Sequence, residues 1–104
     1  MAYRVDLTER AARDLGRIYR TINAEDSARA RDWFNGLEKA VLSLDEHPAR
    51  APVIAEHDSP RHLLYGRKPN VHRIIYAIDE RDGVVTVLHI RHGARKAFPP
   101  PGGD

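Results

Sequence analysis

The 104-residue chain reads as an α+β domain of order β-α-α-β-β-β: an N-terminal helical hairpin packed on a small, mainly antiparallel sheet. Three observations lead there. Between residues 8 and 44 the apolar residues recur at spacings of three and four, the pattern of amphipathic helices. Residues 62–91 are rich in Ile, Val, Leu and Tyr and are divided by an Asp82-Gly83 turn signal, the pattern of a β-hairpin. A short alternating segment, Tyr3 to Leu7, precedes both.

Taken in order, Tyr3, Val5 and Leu7 alternate with Arg4 and Asp6 as in a strand with one buried face. Thr8 is a good helix N-cap, and Leu7 is placed to staple onto Ala12. The first helix is expected from Glu9 to Ile22. It buries Ala11, Ala12, Leu15, Ile18, Tyr19 and Ile22 and turns Arg10, Arg13, Arg17 and Arg20 to solvent. The second is expected from Asp26 to Leu44 on a stripe of Ala30, Trp33, Phe34, Leu37, Ala40, Val41 and Leu44, and His47-Pro48 ends it. Trp33 and Phe34 are read as core aromatics between helices and sheet. Residues 48–60 form a Pro-rich loop, followed by a strand at His62 to Tyr65. Val71 to Asp79 and Val84 to Arg91 are the paired strands of the hairpin. One domain spans 1–98, and the Pro/Gly-rich residues 99–104 are expected to be a flexible tail.

Composition narrows the chemistry. There is no cysteine, which excludes disulfides, thiolate metal sites and a thiol nucleophile. No stretch approaches the ~18 apolar residues of a membrane span, so a soluble cytoplasmic domain is expected with no membrane contact. At 31% charged and 41% hydrophobic residues the chain is globular, not disordered. The net charge of +2 hides an asymmetry. Residues 1–58 hold nine Lys/Arg against eleven Asp/Glu, whereas residues 59–104 hold eight against four, with four of the six histidines. Fourteen of the seventeen basic residues are arginine, which suits bidentate phosphate contacts. In the helical half that excess reads as the coding bias of a GC-rich genome.

Pairing the hairpin places its acids, Asp79, Glu80 and Asp82, at the turn. Arg67, Lys68, His72 and Arg73 then fall at the open end, across from Arg91, His92, Arg95 and Lys96, with Arg61 and His62 leading into the neighbouring strand. No acid lies between Arg61 and Ile78 or between Gly83 and Gly103. A basic pole results, the footprint of phosphate or nucleic-acid binding. Arg61, Arg67, Lys68, His72, Arg91 and Lys96 are its candidate binding residues. No phosphate loop, metalloprotease motif or nucleophile elbow is present. His89 and His92 stand three apart on a strand and face opposite sides, so no metal or other cofactor is expected. His92, beside Gly93 at a strand end, is the better functional histidine.

His72-Arg73-Ile74-Ile75-Tyr76 and the run Val85-Thr86-Val87-Leu88-His89-Ile90-Arg91-His92-Gly93-Ala94-Arg95, together with the initial strand and helical hairpin, resemble the RelE/ParE superfamily, toxins of bacterial type II toxin–antitoxin systems. The resemblance covers residues 3 to 98. It implies a small basic toxin neutralised by a co-encoded, acidic RelB- or ParD-like antitoxin. It also implies one of two targets. RelE-like members cleave mRNA on the ribosome without a metal; ParE-like members poison DNA gyrase, serve in plasmid stabilisation and are not nucleases. For the first, Arg73 is similar to the strand arginine at the scissile phosphate and Arg95 to the second arginine after the last strand. The RelE-like tyrosine beyond that strand is missing from Lys96-Ala97-Phe98-Pro99. His92 would then take the proton-transfer role. On Arg73, His92 and Arg95 together, the sequence leans to ribosome-dependent endoribonuclease activity over gyrase poisoning. A homologue that only binds its antitoxin is the third reading.

Overall fold

A computed structural model describes residues 2–53, 60–67 and 70–93; Lys68, Arg95, Lys96 and the 99–104 tail lie outside these. The elements are β1 (Arg4–Leu7), α1 (Glu9–Thr21), α2 (Ala28–Leu42), β2 (Arg61–Tyr65), β3 (His72–Asp79) and β4 (Val84–His92), with short 3₁₀ turns at Ser43–Asp45 and Pro48–Arg50. The expected order and class hold. The four strands run β1-β4-β3-β2, with β1 parallel to β4 and the other pairs antiparallel. The helical hairpin covers one face. Ile18, Phe34, Leu37 and Val41 from the helices, with Leu44, meet Ile74, Tyr76, Val85, Val87 and Ile90 from the sheet. Among the described residues no helix is long and apolar enough to cross a membrane.

β1 pairs with only the first half of β4, Val84 to Val87. Side chains take over where it stops. Thr8 caps α1 by accepting from the Ala11 amide at 3.0 Å, and its hydroxyl donates to the Leu88 carbonyl at 2.8 Å. One turn later Asp14, only 4% exposed, accepts the Ile90 amide at 2.9 Å through Oδ2 and the Arg17 guanidinium at 2.8 Å through Oδ1. Two polar residues of α1 therefore satisfy the β4 edge that β1 leaves open. The helical period alone places position 14 off the apolar stripe. Conversely, Ala12, expected in the core, is exposed, because α1 turns that position away from the sheet.

α2 begins at Ala28, two residues after the expected Asp26, because Ser27 is its cap and accepts from the Ala30 amide at 3.1 Å. It ends at Leu42, and the following 3₁₀ turn still buries Leu44 completely. Phe34 is core and meets Tyr19 edge to face at 5.1 Å. Trp33 is half-buried instead: it lies at the flank of α2 against Tyr65 at 5.1 Å and His72 at 5.2 Å. The Tyr65 hydroxyl donates to the Trp33 carbonyl at 2.8 Å. That contact needs Gly36, because a Cβ there would run into the same hydroxyl. Gly→Ala inside a helix normally stabilises by about 1 kcal/mol. Here Gly36→Ala is expected to destabilise by about 1–2 kcal/mol, since Tyr65 must swing off its hydrogen bond and packing. Urea unfolding of Gly36→Ala, Tyr65→Phe and the double variant checks this: the alanine should cost less once the hydroxyl is gone, and strict additivity would refute the clash.

The β3–β4 ladder is regular from Asp79↔Val84 to Tyr76↔Val87 and then resumes at Ile75↔His89. Leu88 is the extra residue of a β-bulge. The bulge keeps Val85, Val87 and Ile90 all buried against the helices, which strict alternation forbids for positions 87 and 90.

Candidate functional site: the open end of the sheet

The open end of the β3–β4 hairpin pairs His72 with His92 and Arg73 with Arg91, while β2 sets Tyr65 beside His72. Gly66, at φ +97°, turns the chain out of β2; a side chain there would strike the Asn70 carbonyl.

On the helix-facing side the His72 ring lies between Trp33 at 5.2 Å and His92 at 5.0 Å. His72 is 6% exposed and His92 is open to solvent. Two clefts meet at this pair. One, of about 310 Å³, has Trp33 and Ile22 in its wall and Ser27 and Arg29 at its rim. The other, of about 340 Å³, runs over Ile18 and Ile90 to His92, with Arg17 at its edge.

On the opposite side Arg73 is 8% exposed and bound into the fold. Its Nε donates to the Gly93 carbonyl at 3.1 Å, and its Nη1 lies 3.0 Å from His62 Nδ1. Arginine can only donate, so that imidazole nitrogen is the acceptor. Arg91 stands beside Arg73 on the same face.

Arg73 and His92 sit on opposite faces of the sheet, and Arg95 lies outside the described residues. The bulge is the physical cause. An unbroken register from Asp79↔Val84 would set Arg73 opposite Ile90, on the same face as His92. One extra residue at Leu88 moves Arg73 opposite Arg91 and His92 opposite His72.

Of the expected nucleic-acid contacts, Arg67 is exposed at the pole, His72 is buried in the ring stack, and Arg91 is half-buried. Lys68 and Lys96 lie outside the described residues. Arg61 is not at the pole. It starts β2 opposite Tyr76, and its guanidinium donates to the Ala49 and Ala51 carbonyls at 3.2 and 2.7 Å, which ties down the 48–50 turn. Among the described residues no group of three or more His, Asp or Glu side chains is arranged to hold a metal.

Burial lowers the pKa of His72, and the neighbouring His92 lowers it further, against an opposing Asn70 carbonyl. Burial also lowers that of His89, with Arg10 and Arg91 adding to it and Asp14 opposing. In the unfolded chain both titrate near ~6.5. Above that pH both states are neutral and the two groups contribute nothing. As pH falls below it, the unfolded chain takes up protons first and stability drops, until the lower folded-state values are passed. Urea midpoints at pH 7.5 and pH 5 should show this fall. A His72→Gln/His89→Gln variant should show a shallower one; an equal fall would place the sensitivity elsewhere.

The family model described as the ParE toxin of type II toxin–antitoxin systems matches residues 5–97. The chain belongs to that family. Its fold is also that of solved RelE/ParE toxins. It is similar to a chain of the chromosomal ParDE system from P. aeruginosa, with a TM-score of 0.69 at 18% identity over 88% of this toxin and 96% of that chain. It is similar to a chain of the RelBE2 complex from Mycobacterium tuberculosis, with a TM-score of 0.62 at 20% identity over 91% and 95%. The intact RelBE complex from E. coli gives a TM-score of 0.63 at 18% identity over 90% and 100%. Compared with curated protein sequences, the toxin has no match.

Proposed function

We propose that the toxin arrests growth as a non-enzymatic, ParE-like poison of DNA gyrase, and that a co-encoded acidic antitoxin holds it inactive. One observation carries the choice against mRNA cleavage: Arg73 is buried in a structural hydrogen-bond set on the face away from His92. A ribonuclease needs its phosphate-binding arginine and its proton-transfer group on the same phosphate. The match to the ParE family model supports the same reading. The two clefts beside His72, apolar in the floor and edged by Arg17 and Arg29, suit an antitoxin segment with apolar anchors and acidic flanks.

Induction of the toxin without its neighbouring gene tests the proposal. Growth arrest should come with gyrase-linked DNA breaks, and primer extension should find intact transcripts. His92→Gln should leave toxicity within about twofold, because no proton transfer is involved. Cut transcripts, or a folded His92→Gln variant that no longer arrests growth, would restore the nuclease reading. Co-expression of the acidic neighbour should rescue growth.

A further inference from the structure

We infer that α1 carries a second recognition surface, one that takes the phosphate backbone of duplex DNA. Arg10, Arg13, Arg17 and Arg20 follow each other at spacings of three, four and three. At 100° per residue they fall within an arc of about 80°, and at 1.5 Å per residue they extend over about 15 Å of helix. This arc lies away from the face that α1 buries with Ala11 and Ile18. The four arginines, with Ala12 and Gly16, frame an open cleft of about 760 Å³.

The acids nearby leave the row positive. Asp14 is sunk beneath it, with one oxygen on the Ile90 amide and the other on Arg17, whose side chain stays 61% exposed. Glu9 lies at the first turn, and no ion pair to Arg13 or Arg20 exists among the described residues. Arg13, Arg20 and the exposed side chain of Arg17 are the groups of the row that a ligand can reach. Arginine presents a planar fork that matches a phosphate.

The type of partner follows from what surrounds the charge. Among the described residues the exposed large hydrophobic ones are Leu7, Leu42, Val53 and Leu64, and α1 contains none of them. The centre of a protein–protein interface is depleted of charge and built on apolar anchors, whereas a protein–DNA interface is polar and strongly positive. The α1 row has the second composition. It also joins the basic pole, because Arg17 borders both this cleft and the one that reaches His92. A duplex laid along α1 would thus continue toward the open end of the sheet. The choice of DNA over RNA rests on the gyrase reading; the phosphate-binding surface does not.

Fluorescence anisotropy of the full-length toxin on two unrelated 24-base-pair duplexes, and on a single-stranded RNA of equal length, tests the inference. Binding should be in the micromolar range, equal for the two duplexes, with log K falling against log salt at a slope of about −3. Arg13→Gln/Arg20→Gln should keep the parent's melting temperature, lose about tenfold or more in affinity, and flatten the slope toward about −1. The inference is overturned by no binding at tens of micromolar protein in low salt, by RNA binding tenfold tighter than DNA, or by parental affinity in the double variant. Because gyrase is not in the assay, the inference and the gyrase reading can fail separately.

Discussion

Asp14→Ala is expected to lower the unfolding free energy by about 2–4 kcal/mol. That is a large share of the ~5–15 kcal/mol that holds a domain together. The cost does not come mainly from the pair with Arg17, since an ion pair with one exposed partner is worth about 0–1 kcal/mol. It comes from the Ile90 amide, a donor on a fully buried residue of β4 that has Asp14 Oδ2 as its acceptor at 2.9 Å. Alanine leaves that donor stranded next to the core. Asp14→Asn keeps an acceptor within reach and should cost roughly 1 kcal/mol, while Arg17→Ala should cost less than about 1 kcal/mol. Urea unfolding at pH 7, followed by Trp33 fluorescence, gives all three values. If the alanine variant loses under about 0.5 kcal/mol, water reaches the Ile90 amide and α1 is not the closure of this edge.

The sequence exposes those parts of the fold whose cause is local. Helix positions follow from the 3.6-residue apolar period, and Thr8 identifies its own cap. The Asp82-Gly83 signal defines the hairpin, with Gly83 at φ +67°. Antiparallel pairing then carries basic residues to one end and Asp79, Glu80 and Asp82 to the other. What stays hidden depends on contacts between distant elements. Asp14 is off the apolar stripe of its own helix and is buried only because β1 is shorter than β4. Arg61 counts as one more cation near the pole until the 48–50 turn claims its guanidinium. The Leu88 bulge matters most for function, because no residue type announces it. It keeps the apolar side of β4 continuous across Val87 and Ile90, and in doing so it separates Arg73 from His92. Packing of the core thus sets which face of the sheet each of these motif residues occupies.

Arg73→Ala is expected to abolish toxicity, and to do so through the fold. The guanidinium is buried and bridges β3 to the end of β4 through the Gly93 carbonyl and to β2 through His62. Its removal strands both acceptors at the open end of the sheet and opens a void, at a cost of about 2–4 kcal/mol. Arg73→Lys keeps the charge but not the fork, so it cannot reach both acceptors and should still lose at least about 1 kcal/mol. A catalytic role predicts a different pattern, because an arginine held for a substrate can be truncated with little effect on unfolding while the rate collapses. Measuring unfolding and growth arrest on the same variants separates the two roles. Stability and toxicity should fall together, and toxicity should return in part at reduced growth temperature, where the weakened fold is more populated. An Arg73→Ala protein as stable as its parent, yet harmless at every temperature, would mean that Arg73 leaves its partners to act on a bound phosphate.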